Sequence, residues 1–220
     1  MREAPSKQKT LFDGPKQEVC GLKWSTDGEY FASGSNDNSM MVFSPKTQFP
    51  IFKKKHKAAV KAIAWSKKQP GLLASGGGTA DCRIRLWSIN KQCLVNEVNT
   101  GSQVCSVSFS KYENEIISTH GFSKNEVVIW KTPKLKKIVG LLGHSSRVLY
   151  QAQSPCGNYI VTGAGDETLR FWDLGYNKGG LGKSMLTGEI GLFGGSQQNK
   201  SNKKKGIKNK SGVLQLPVLR

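Results

Sequence analysis

Two histidine and aspartate pairs, His56 with Asp81 and His144 with Asp166, are the residues of this chain best suited to proton chemistry. An imidazole steered by a carboxylate is the base of many hydrolases, where it acts on a nearby nucleophile. Here the surroundings of the pairs argue for another use. Each has a hydroxyl between its members, Ser75 or Thr162, and each aspartate stands six residues before an indole, Trp87 or Trp172. Each histidine stands four residues before a valine, Val60 or Val148. Buried polar groups need partners, and a set of imidazole, hydroxyl, carboxylate and indole repeated twice can satisfy itself as a hydrogen-bonded chain. The histidines are therefore read as struts rather than bases, and the protein as non-enzymatic. No phosphate loop, metal-ligand set or nucleophile elbow accompanies them, so neither metal nor cofactor is expected.

The elements that must hold these sets repeat with them. Val19, Val60, Val104 and Val148 open four units at spacings of 41, 44 and 44 residues, and Phe43, Trp87, Trp130 and Trp172 close them at 44, 43 and 42. A third aspartate, Asp37, keeps the six-residue offset before Phe43. Within each unit the β-rich runs are too short for helices, and a small residue (Gly34, Gly76, Gly121, Gly163) is expected to turn the chain between them. The period is that of WD repeats. The expected fold is all-β: a WD-repeat β-propeller with four recognisable blades over residues 15–175, a partial relative of a seven-bladed wheel. Residues 1–14 form an N-terminal segment whose run Lys9, Thr10, Leu11, Phe12 is the candidate closing strand. Without closure, the two end blades would present unpaired backbone.

Of 220 residues, 33 are basic and 15 acidic, a formal charge of +18. Residues 176–220 hold nine basic groups against Glu189 alone, +8, which leaves 24 against 14, +10, for residues 1–175. The lysines are not interleaved with an aromatic platform, so a solvated surface explains them better than nucleic-acid binding. The cluster Lys203, Lys204, Lys205, Lys208 and Lys210 has the composition of a nuclear localisation signal. The first residues lack an apolar segment, no apolar run approaches a membrane span, and five cysteines form no CxxC pair. A nuclear and cytoplasmic protein with reduced cysteines and no membrane association is expected. The tail has too little apolar content to fold alone, yet it ends in Val218, Leu219 and Arg220, a side-chain pair suited to anchoring: an apolar group for a pocket and a guanidinium for a carboxylate.

Several strings exceed what a generic repeat requires: EVCGLKWSTDGEYFASGSNDN, AVKAIAWS, LLASGGGTADCRIRLW, SQVCSV, HGFSKNEVVIW and GHSSRVL. In order, they resemble the fizzy and fizzy-related family, the cell-division-cycle activators of the anaphase-promoting complex, a ubiquitin ligase. The resemblance runs from about Thr10 to Trp172. It implies an adaptor in cell-cycle control that binds substrate proteins carrying degradation motifs and docks on ligase subunits.

The positions matching the family's receptor for the Lys-Glu-Asn signal are Asn36, Thr79, Gln103 and Arg147. Gln103 and Arg147 directly precede blade-opening valines, at the rim of one face, and Asn36 and Thr79 lie in turns expected on that face. Glu167 matches the acid that receives the arginine of the destruction box, whose groove has its other wall on a first blade not recognisable here. Leu219 and Arg220 match the family's terminal isoleucine and arginine, which dock on the ligase. The family pattern also places an arm with the C-box, and about three blades, ahead of the position that Met1 occupies. A generic WD scaffold, or an inactive truncated paralogue, is the alternative reading. A basic RNA-associated protein is a third.

Overall fold

The computed structural model describes residues 14–112 and 114–176. Among these, fifteen strands follow one another with no α-helix. The first sheet contains β1 (Val19–Trp24), β2 (Phe31–Ser35), β3 (Ser39–Phe43) and β4 (Phe52–Lys55). The second contains β5 (Val60–Trp65), β6 (Leu72–Gly77), β7 (Arg83–Ser88) and β8 (Cys93–Asn99). The third contains β9 (Val104–Phe109), β10 (Glu115–His120), β11 (Val127–Lys131) and β12 (Lys136–Leu141). The fourth contains β13 (Val148–Gln153), β14 (Tyr159–Ala164) and β15 (Leu169–Asp173). Every sheet is an antiparallel meander in which spatial order equals chain order. The candidate closing strand at residues 9–12 and almost all of the basic tail, Leu219 and Arg220 included, lie outside the described residues.

The sheets are blades around one axis. β1 packs on β5, β5 on β9 and β9 on β13, whereas β13 and β1 make no comparable contact. The four innermost strands together line a hollow of about 570 Å³, with Trp24, Lys61, Cys105 and Tyr150 among its walls. The Lys61 ammonium lies 4.6 Å from the centre of the Tyr150 ring, one strand reaching another two blades away.

Apolar residues alternate along the strands so that each blade buries one face against the next. Between the first two blades, Ala32, Met40 and Val42 meet Ile63, Trp65 and Leu73. Between the second and third, Ala74, Ile84 and Leu86 meet Val107, Phe109 and Ile116. Between the third and fourth, Ile117, Val127 and Ile129 meet Val148, Ile160 and Trp172. Each of the larger side chains among these contributes about 1.5–3 kcal/mol on burial, and these joints are where most of the apolar core lies.

Two local features tune the blades. The register of each innermost strand shifts directly after its opening valine, between Val19 and Gly21, Val60 and Ala62, Val104 and Ser106, and Val148 and Tyr150. A bulge at the same place in every blade sharpens the twist where the strand leaves the rim. The glycines expected to form turns do something else. Gly34, Gly76 and Gly163 lie inside β2, β6 and β14, and only Gly121 follows its strand. A Cβ on Gly34 would overlap the carbonyl of Val60, and one on Gly76 would overlap the Val104 side chain. These two glycines therefore allow adjacent blades to approach closely.

Candidate functional site

The two complete sets close as expected. In the second blade, Trp87 Nε1 donates to Ser75 Oγ at 2.8 Å, His56 Nε2 lies 2.8 Å from the same hydroxyl, and His56 Nδ1 lies 2.8 Å from Asp81. The His56 and Asp81 side chains are fully buried. Arg85 forks onto both Asp81 oxygens at 2.9 and 3.1 Å. Burial, reinforced by Arg85, holds the imidazole below its ordinary pKa against the pull of Asp81. Burial tends to raise the Asp81 pKa, but its bonds from Arg85 and His56 prevail and lower it. A neutral His56 donating from Nδ1 thus joins indole to carboxylate in one chain of donors and acceptors.

The fourth blade repeats the chain. Trp172 Nε1 donates to Thr162 Oγ1 at 2.8 Å, and His144 reaches Thr162 at 2.8 Å and Asp166 at 3.0 Å. Asp166 also accepts the Ser145 N–H at 2.9 Å and the Thr168 hydroxyl at 2.6 Å. In both blades the imidazole nitrogens are committed to this bracing, which leaves no free lone pair directed at a substrate.

The other two blades solve the same problem differently, and sequence reasoning missed how. In the third blade, Thr100 and Lys124 occupy the histidine and aspartate positions, and Lys124 Nζ donates to the Thr100 carbonyl at 2.7 Å. The imidazole comes instead from His120 at the end of β10, 2.7 Å from Ser118 Oγ, which also accepts from Trp130 Nε1 at 2.7 Å. His120 is 1% exposed, and its Nδ1 has no partner. Burial, with Lys124 and Lys137 nearby, lowers its pKa to about 4. In the first blade Phe43 replaces the indole and has no N–H to give, so Ser33 Oγ is left buried without a partner. Asp37 there ties the turn to the Lys16 N–H at 2.8 Å and to the Ser39 hydroxyl. Burial works against ionisation, but these bonds hold its pKa at about 2.

The four rim positions share one face. A backbone bond recurs in every blade between the residue before the opening valine and the start of the turn after the second strand. It runs from Asn36 N–H to Glu18, Gly78 to Ala59, Gly121 to Gln103 and Gly165 to Arg147, each at 2.9–3.0 Å. Asn36, Thr79, Gln103 and Arg147 therefore belong to equivalent corners of successive blades.

Gln103 and Arg147 flank Gly121, where a Cβ would meet Gln103 Oε1 at 3.1 Å and Arg147 Cδ at 3.4 Å. Thr79 is exposed, and its carbonyl accepts the Cys82 thiol at 3.0 Å. Asn36 is not a free amide. Its Nδ2 donates to Glu18 at 3.2 Å and its Oδ1 accepts from the Cys20 thiol at 2.9 Å. Those bonds orient it.

Two further residues join this face. Phe122 is 65% exposed, and the Arg147 guanidinium sits 5.9 Å from its ring centre. Glu18 brings a carboxylate whose pKa is lowered by backbone and Asn36 hydrogen bonds. The signal for Glu18 was available, since it precedes Val19 as Gln103 precedes Val104. Glu167 lies in the β14–β15 turn on the same side, exposed, with φ of 62° and its N–H bonded to the Ala164 carbonyl. Among the described residues no cluster of histidine, cysteine, aspartate or glutamate is arranged to hold a metal ion. No helix among them is long and apolar enough to cross a membrane.

Four meander sheets about an axis, two of them braced by the full set of indole, hydroxyl, imidazole and carboxylate, define a WD-repeat propeller. Residues 1–172 match the model of the CDC20/Fizzy WD40 domain, and the chain belongs to that family. It is 57% identical over 162 residues to Protein FIZZY-RELATED 3 of Arabidopsis thaliana, covering 73% of this chain and 34% of the relative. It is 56% identical to the B-type cell cycle switch protein ccs52B of Medicago truncatula, covering 73% and 33%, and 50% identical to the WD repeat-containing protein srw1 of Schizosaccharomyces pombe, covering 78% and 31%. The chain thus spans about a third of the length of these curated relatives. Among solved structures, a chain of the Mitotic Checkpoint Complex superimposes with a TM-score of 0.72 at 45% identity, over 74% of this chain and 51% of that one. The computationally designed Ika8 protein does so with a TM-score of 0.62 at 28% identity, over 74% and 48%.

Proposed function

We propose that this protein is a substrate-recognition adaptor and activator of the anaphase-promoting complex, and that its rim binds the Lys-Glu-Asn degradation signal. Family membership and the cell-cycle names of its relatives support the role. The observation that carries the site is the recurring rim corner, which puts an oriented amide, a hydroxyl, a second amide and an exposed guanidinium on one face. Arg147 pairs with the glutamate of the signal, while Asn36, Thr79 and Gln103 serve its amide and ammonium. Glu18, next to Asn36, adds a charge of the sign an ammonium requires. Glu167 is the proposed acceptor for the arginine of a destruction box. Leu219 and Arg220 are the proposed ligase anchor, and the nucleus and cytoplasm are the proposed sites of action. Activation on this reading arises from raised effective concentration of substrate at the ligase.

Titration of the 220-residue chain with a Lys-Glu-Asn peptide tests the site. A charge-assisted bond is worth about 1.5–3 kcal/mol, so Arg147→Ala should weaken binding by at least about tenfold, and Gln103→Ala should also reduce it. Unchanged affinity in both variants rejects the rim. The alternative reading is a WD scaffold that does not activate the ligase. Capture of ligase subunits that is lost on deleting Leu219 and Arg220 supports the first reading over the second.

A further inference from the structure

Phe122 opens the β10–β11 turn directly after Gly121, the residue flanked by Gln103 and Arg147, and its ring is 65% exposed. Single exposed apolar side chains are ordinary on a protein surface, but the surroundings of this one are not. Its blade packs between the second and the fourth, both in place, so the exposure does not arise at either end of the described residues. Its backbone is tied down. Ser102 Oγ, from the loop before β9, lies 2.8 Å from the Gly121 carbonyl oxygen and 2.7 Å from that of Phe122. The Gly121 carbonyl also accepts from the N–H groups of Lys124 and Asn125 at 3.1 and 2.9 Å. The turn therefore fixes where the ring stands, and the Arg147 guanidinium lies 5.9 Å from its centre, within the range of a cation–π contact. Ring and guanidinium form one surface, half apolar and half charged.

We propose that Phe122 is a specificity-determining residue of the rim: its ring receives an apolar side chain that flanks the degradation signal. The inference rests on the rim being the Lys-Glu-Asn receptor, with Arg147 holding the glutamate. Consecutive Cα atoms are about 3.8 Å apart, so the residues flanking the signal, two steps from the glutamate, lie at most about 8 Å from it. That reach is comparable with the 5.9 Å between guanidinium and ring. An aliphatic or aromatic side chain at a flank removes its own surface and that of Phe122 from water, which favours binding. A polar flank gains nothing from the ring.

Titration of the 220-residue chain with three peptides tests this: Lys-Glu-Asn with serine on both sides, with leucine in place of the preceding serine, and with leucine in place of the following one. One leucine peptide should bind about three- to tenfold more tightly than the serine peptide, the gain from burying part of a leucine against a ring. Phe122→Ser should abolish that gain, and Phe122→Tyr, which keeps the ring, should retain it. Because each ratio compares peptides on a single variant, any loss of folded protein or of support for Arg147 cancels. No gain from leucine at either flank, or a gain that survives Phe122→Ser, overturns the inference. Arg147→Ala separates that failure from failure of the receptor. If Arg147→Ala loses the serine peptide but leucine brings no gain to the unaltered chain, only the Phe122 subsite falls; if Arg147→Ala and Gln103→Ala both bind the serine peptide as the unaltered chain does, the receptor falls with it.

Discussion

The second and third blades have the same strand order and the same indole-to-hydroxyl bond, yet they draw the imidazole from different parts of the chain. In the second blade His56 arrives from the loop before the innermost strand and spans hydroxyl and carboxylate. In the third, His120 stands two residues beyond the hydroxyl it caps, and a Lys124 bond to the Thr100 carbonyl ties the loop instead. The requirement shared by both is a partner for a buried serine and indole. The carboxylate serves where the loop before the innermost strand is also held through it, and in the second blade it neutralises Arg85 as well.

The largest effect should come from removing that neutralisation. Asp81→Ala leaves His56 without its acceptor and Arg85 with Glu97 alone, a change that costs about 3–5 kcal/mol, read as a fall in the urea midpoint. The third blade has no such carboxylate to lose.

Acid should weaken both solutions next, since burial lowers the His56 pKa as it does that of His120. His120 has a folded pKa of about 4 against 6.5 for the free side chain. Between these values the unfolded chain binds more protons, so folding stability is full above about pH 6.5 and falls as the pH drops towards 4. The fall amounts to about 3 kcal/mol. His120→Gln should flatten that slope in denaturation measured at several pH values. An unchanged slope would assign the dependence to another group. Asp37 acts lower: its folded pKa of about 2 against 3.8 means its contribution is present above pH 3.8 and lost only as the pH falls through 2.

One substitution should have opposite signs in two blades. Ser75→Ala strands the Trp87 N–H and His56, costing about 1–3 kcal/mol. Ser33→Ala removes a hydroxyl that has no partner and should be neutral or stabilising by up to about 1 kcal/mol. Equal losses in both would mean that Ser33 is satisfied after all.

Much of the candidate site was readable from linear spacing. The period placed four sheets, and the offsets of His56, Asp81 and Trp87, and of His144, Asp166 and Trp172, named both closed sets, because a bond between fixed strand positions forces residue types to fixed intervals. The rim positions Asn36, Thr79, Gln103 and Arg147 came from the family resemblance, and the repeat adds only that each stands at a blade corner.

What escaped notice had no interval of its own. His120 lies on the strand it braces, so no spacing distinguishes it from a core residue. Gly34 and Gly76 resemble turn glycines until the next blade is in place, since the overlap they avoid is with a residue more than twenty positions away. The bonds from Glu18 and Cys20 to Asn36 depend on a side-chain approach that a repeat does not encode. The amino-acid order by itself determined the blades and their internal braces, because those are local contacts repeated at a constant period. Only the tertiary structure decided which apolar side chains are sealed and which are bare, because a side chain is covered or exposed according to what packs against it, and Phe122 has the same apolar character as Phe109, sealed inside a joint.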